Sequence, residues 1–182
     1  MRNYVYSLGY QLRNLEEFVE LLQAAGVSVV VDVRETAWSR KPGFSKTALA
    51  AGLAAVGIQY QHLPQAGNPK HLRAEATSHL ACLEAYDAYL TEQPVTVAAV
   101  GEVLNRLLAD GQTPCLMCYE RHPDDCHRSY LLRHWQGIAP KLAEVQHLAP
   151  DGAPRLVKPL RKATVEDLVG VGQVDALDTT TR

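Results

Sequence analysis

The segment Cys118-Tyr119-Glu120-Arg121-His122-Pro123-Asp124-Asp125-Cys126-His127-Arg128 holds the densest reactive chemistry in the chain. Pro and Asp favour a helix start, so Pro123 and Asp124 predict a helix running to Trp135, with Cys126 in its first turn. A helix N-terminus favours anions and can lower a thiol from its usual pKa of about 8.5, exposing a thiolate. His127 and Arg128 assist that ionisation, while Asp124 and Asp125 oppose it. The blander alternative is that Cys118 is a small buried hydrophobe and Cys126 an inert helix residue.

Metal binding is the second reading of the same residues. Cys115 and Cys118 have CxxC spacing, but a strand there would send side chains three apart to opposite faces, so the two thiols would not share an ion. Neighbouring Cys126 and His127 would also struggle to meet on one. A catalytic set of Cys118, Cys126 and His62, holding zinc or iron, remains as the alternative to a site with no cofactor.

Other candidates precede this segment. Asp32-Val33-Arg34 puts an acid and a base on one strand face. They read either as a salt bridge or as a carboxylate orienting an anion-binding arginine. Arg34, Arg40, Lys41 and Lys46 surround Trp38 and Phe44, a mixture that suits a phosphate or a stacked base, or simply a solvated loop. His62 has the right intrinsic pKa for proton transfer near neutrality.

Strands alternating with helices would position these groups. Tyr4 to Leu8 reads as a strand ended by Gly9. Asn14 and Glu17 form a capping box ahead of a helix with Leu15, Phe18, Val19, Leu21 and Leu22 on its apolar face. The run from Val27 to Val33 reads as a strand buried on both sides of a parallel sheet. A helix from Ser45 to Ala55 and a strand from Ile58 to Leu63 follow. After a polar loop, QAGNPKHLRAEATSH, come helices near 78–90 and 95–108, whose Leu80, Leu83, Tyr86, Leu90, Val100, Leu104, Leu107 and Leu108 have core spacing; Cys82 goes with them. Pro114 to Tyr119 and Val145 to Leu148 complete the strands. The expected fold is α/β, a three-layer, Rossmann-like sandwich around a mostly parallel sheet of about five strands. The domain spans residues 1–149, and 150–182 reads as a partly disordered extension.

In such sheets ligands bind beyond the carboxyl ends of the strands. Gly9-Tyr10, Asp32 and Arg34, His62, and Cys118 with Glu120 all fall at those ends. Neither GxGxxG nor GxxxxGK[ST] occurs, against a standard dinucleotide or NTP site. With a net charge of −2 over 182 residues, any nucleic-acid contact must be local. No apolar run approaches the about 20 residues of a membrane span. A signal peptide is not evident, so a cytoplasmic protein with reduced cysteines is expected.

Taken together, Tyr6-Ser7-Leu8-Gly9-Tyr10, Leu15-Glu16-Glu17-Phe18, Val31-Asp32-Val33-Arg34, Tyr60-Gln61-His62-Leu63-Pro64 and Cys118-Tyr119-Glu120 with Cys126-His127-Arg128 closely resemble the domain-of-unknown-function 488 family of bacterial and archaeal α/β proteins. The likeness runs from about Tyr4 to Leu148, and CxE…CHR is its most specific part. Members often carry His where this chain has Tyr10. The resemblance implies one site containing Asp32, Arg34, His62, Cys118, Glu120, Cys126, His127 and Arg128, and some members carry labels pointing to DNA repair. The expectation is an enzyme acting on a phosphate-bearing substrate, a nucleotide or nucleic-acid component. Arg34, Arg128, His127, Arg40, Ser7 and Tyr10 would contact it. Glu120 or His62 would move protons, with Asp32 beside them, and Cys126 or Cys118 would attack or polarise. The rival from another class is a non-catalytic nucleic-acid-binding module using the Arg34–Lys46 loop.

Overall fold

A computed structural model describes residues 3–148 and, as backbone, the strand 154–156. Strand β1 (Tyr4–Gly9) leads to helix α1 (Leu15–Ala24). Asn14 accepts from the Glu17 amide at 2.8 Å and its own amide donates to the Glu17 carboxylate at 2.9 Å, so the capping box closes. Gly26, at φ 67°, supplies the left-handed turn that ends the helix. Strand β2 (Val29–Asp32) is wholly buried, as β-branched residues in a doubly covered strand should be. Helix α2 (Lys46–Ala54) and strand β3 (Gln59–His62) follow.

The segment read as a polar loop contains a 3-10 turn (Pro64–Ala66) and a short helix, α3 (Lys70–Glu75), none of whose residues is buried. Helices α4 (His79–Glu92) and α5 (Pro94–Ala109) precede strand β4 (Pro114–Cys118). Leu80 is a correction to the expected core: it is 61% exposed, whereas Leu83, Tyr86 and Leu90 are buried. Helix α6 (His127–Ile138) and strand β5 (Glu144–Leu148) complete the main body.

The strand order is β3-β2-β4-β1-β5, all parallel, with β6 (Pro154–Leu156) antiparallel on β5. The rest of the expected extension from 150 lies outside the described residues. One sheet face presents Leu8, Val30, Cys115 and Met117 to Phe18, Leu22, Leu49 and Leu53 of α1 and α2. The opposite face sets Val31, Val33, Leu116 and Cys118 against Leu90, Leu104, Leu131 and Trp135 of α4 to α6. The protein is therefore the expected α/β/α sandwich, and Cys115 and Cys118 lie in different cores. No helix among the described residues is long and apolar enough to cross a membrane.

Connectivity explains the location of the site. The steps β1 to β2 and β2 to β3 run one way across the sheet, and β3 to β4 and β4 to β5 run back. Right-handed crossovers then put α1 and α2 on one face and α4 to α6 on the other. The chain leaves β1 and β4 toward opposite faces, which opens a crevice at their carboxyl ends.

Candidate functional site

Parallel register puts Gly9 beside Cys118, Asp32 beside Met117 and Ser7 beside His147. Beyond the strands, the Tyr10 and Gln11 amides continue the ladder to the Cys118 and Tyr119 carbonyls at 3.2 and 2.8 Å. This approach requires glycine, since a Cβ at Gly9 would lie 1.8 Å from the Glu120 carbonyl oxygen. The main chain that carries Glu120 is thus pinned directly over β1.

The segment after Glu120 corrects the expected helix start. Pro123–Asp125 forms a 3-10 turn, and Cys126 is the N-cap of α6 rather than part of its first turn. Its extended backbone, φ −135° and ψ 135°, turns its side chain into the same space as that of His127. Cys118, Glu120, Cys126 and His127 consequently converge, with one donor atom from each within 4.8 Å of all the others. Cys118 Sγ lies 3.5 Å from His127 Nδ1 and 3.5 Å from Glu120 Oε2. His127 Nε2 is 3.0 Å from the Val33 carbonyl. A carbonyl only accepts, so Nε2 carries a proton and Nδ1 is turned toward the thiols.

The electrostatics of this group are mutual. Burial opposes ionisation of Cys126, but the Cys118 hydrogen bond, the Arg128 guanidinium and His127 outweigh it and hold the thiol well below its ordinary range. The hydrogen bond that Cys118 donates to Cys126, together with burial, drives Cys118 upward. Burial works against charge on His127, yet Cys126, Val33 and Glu120 raise it. Burial and the negative Cys126 push the Glu120 carboxyl up to about 7. Of the two thiols, Cys126 is therefore the one that ionises first.

Above this group opens a cavity of about 390 Å³, lined by Tyr10, Trp38, Arg73, His79, Cys118, Glu120 and His127 among others. Cys126 does not line it. Cys82, which the helical spacing placed with the core, forms part of its wall and accepts from Asn68 at 3.3 Å. His79 ties α4 to the Asp125 carbonyl at 2.7 Å. Arg73 pairs with Glu35 at the rim, where both are partly solvated.

The remaining candidates occupy different places. Asp32 is fully buried and accepts from the Arg34 amide and Nε at 3.1 and 2.9 Å, from Arg34 Nη2 at 2.6 Å, and from the Tyr60 hydroxyl at 2.7 Å. Arg34 Nη1 donates to the Tyr10 hydroxyl and the Phe44 carbonyl. Four of the five Arg34 side-chain N–H donors are thus held by protein groups, which braces the end of β2, and Arg34 also touches the cavity. Tyr10 is buried and stacked on Phe44 at 4.3 Å. His62 lies at the end of β3, outside the cavity lining, 2.9 Å from the Arg34 carbonyl. His127 occupies the place in the thiol cluster that was expected of His62.

Arg128 is 1% exposed and donates to Ser7 Oγ at 2.8 Å and the Glu120 carbonyl at 2.7 Å. Ser7 Oγ also meets His147 Nδ1 at 2.9 Å. Burial, then Arg128 and Arg133, lower His147 to about 3, so its neutral Nδ1 accepts from Ser7. His147 was missed in the sequence; its signal was a polar residue inside a buried strand, in register with Ser7. Arg40 stands over exposed Trp38 at 5.8 Å, and Lys41 reaches the Tyr10 carbonyl.

Fold and site together define a doubly wound α/β protein with a buried thiol–imidazole–carboxylate centre at the topological switch of its sheet. The chain belongs to the family of the domain of unknown function DUF488, which matches residues 14–135. No curated protein and no solved structure matches it.

Proposed function

We propose that the protein is an enzyme acting on a nucleotide or nucleic-acid component bound in the cavity, with Glu120 as the proton-transfer group. The observation that carries this reading is the placement of the Glu120 carboxylate. It is half-buried on the cavity wall and 3.5 Å from Cys118, on a backbone locked by Gly9 and Arg128. A carboxylate so fixed can give or take a proton at a substrate without first being reorganised.

The surroundings suit a planar ring bearing a phosphate. Trp38, 63% exposed, and Tyr119, 45% exposed, offer faces on which a base can stack. The Arg73–Glu35 pair is solvated and hence weak, so Arg73 can exchange its carboxylate for a phosphate at little cost. Arg40 adds charge beside Trp38. Cys126 is sealed from the cavity, which makes it a stabiliser of charge in the centre rather than the attacking group.

The test is mass-spectrometric product detection after incubation with nucleosides, nucleotides and single- and double-stranded oligonucleotides. Glu120→Gln should cut turnover by roughly 10²–10⁴-fold. Full turnover in that variant, or no product from the wild type with any substrate, overturns the reading. The exposed Trp38–Arg40 pair favours a second reading as a binding module. Binding that falls steeply with salt, without turnover, would support that alternative.

A further inference from the structure

We propose that Cys118, Cys126 and His127 hold a zinc ion in a site with three protein ligands, whose fourth position faces the cavity and Glu120. Two sulfurs and one imidazole nitrogen are the donor set that selects a borderline-soft divalent cation. With Zn–S near 2.3 Å and Zn–N near 2.05 Å, tetrahedral geometry puts sulfur and nitrogen about 3.6 Å apart. Cys118 Sγ and His127 Nδ1 are already 3.5 Å apart, and all four donor atoms of the cluster fit within 4.8 Å.

The imidazole is also oriented as a ligand would be. Its Nε2–H is tied to the Val33 carbonyl at 3.0 Å, which fixes the ring and turns Nδ1 toward the sulfurs. Metal-binding histidines nearly always make such an outer bond. Zinc would displace the protons of both thiols, and its charge would offset the two thiolates so formed.

The inaccessibility of Cys126 then has a use, because a ligand need not reach the cavity. Cys118 and His127 do line it, so the open coordination position falls where a substrate arrives. A water there would lose its proton near neutral pH, and Glu120 is placed to accept it. That chemistry is hydrolytic.

This inference does not rest on the substrate proposed above, because its readouts use none. Metal is measured in protein purified without an affinity tag, and chelator-treated protein is then titrated with zinc or with Co(II), whose thiolate bonds absorb in the near ultraviolet. The expected result is near-stoichiometric zinc and a thiolate–Co(II) band. Cys126→Ser and His127→Gln should weaken binding by more than ~10-fold, because each loses a direct ligand and even outer-bond losses cost that much. Cys115→Ala, altered on the opposite sheet face, should bind as wild type does. Glu120→Gln should keep the metal; losing it would make Glu120 a ligand and overturn the open position. Folded wild type that takes up neither zinc nor Co(II), or that holds iron in preference to zinc, overturns the assignment.

Discussion

At the end of β2, the Asp32 carboxylate receives four hydrogen bonds and Arg34 spends its donors on Asp32, Tyr10 and Phe44. At the end of β4, two thiols, an imidazole and a carboxylate crowd together, and three of the four residues open onto a cavity. Both groups are buried, polar and adjacent. The first is largely closed: Asp32 takes four hydrogen bonds and four of the five Arg34 side-chain N–H groups have protein partners, as a buried ion pair requires. The second is charged by its neighbours and still faces a space that a substrate can enter. On the proposed reading the difference separates a brace from a reactive centre, and Val33 joins them. Its carbonyl, held between Asp32 and Arg34, fixes His127.

The largest effect should come from breaking the closed group. Asp32→Ala leaves the Arg34 guanidinium buried without its counter-charge and should lower unfolding stability by about 3–5 kcal/mol, measured by chemical denaturation. Losses below about 1 kcal/mol would mean that the pair braces nothing.

His147 sharpens the contrast through pH. Its folded pKa is about 3 against an ordinary 6.5. Below about 6.5 the unfolded chain takes a proton that the folded chain refuses until about 3, so stability falls as pH is lowered through that window. The contribution is on the order of a few kcal/mol, and His147→Gln should flatten that part of the stability–pH curve. An unchanged slope would remove His147 from the Ser7–Arg128 chain.

Trp38→Ala tests the cavity rim. The side chain is 63% exposed, so stability should change by no more than about 0.5 kcal/mol. Substrate or oligonucleotide binding should weaken by about 1–3 kcal/mol, the value of one stacked base. Equal affinity would move the ring's site away from Trp38. The smallest effect belongs to Tyr60→Phe, which removes one of the four bonds to Asp32 and should cost about 1 kcal/mol of stability without changing turnover.

Much of the scaffold is written locally in the chain. The β-branched run ending at Val33 and the Asn14–Glu17 box follow from propensity and capping alone. Placing reactive groups at strand ends located the crevice, because parallel topology dictates it. The composition of the centre was less accessible. Cys126 and His127 would diverge on a regular helix, but Cys126 is an extended N-cap that directly follows the Pro123–Asp125 turn. That one-residue difference brings His127 into the cluster, and the Arg34 carbonyl engages His62 elsewhere. Helix α3 was hidden because it has no buried face to leave an apolar period. Cys82 was misplaced because helical spacing does not distinguish a core wall from a cavity wall.

The most direct measurement pairs turnover with unfolding stability for Glu120→Gln and Asp32→Asn, prepared side by side. The account predicts that Glu120→Gln loses at least about 100-fold in turnover while its unfolding midpoint stays near that of wild type. Asp32→Asn should show its main loss in stability. The reverse pattern, with Glu120→Gln active but unstable and Asp32→Asn stable but inactive, would exchange the roles of the two strand ends and contradict the account.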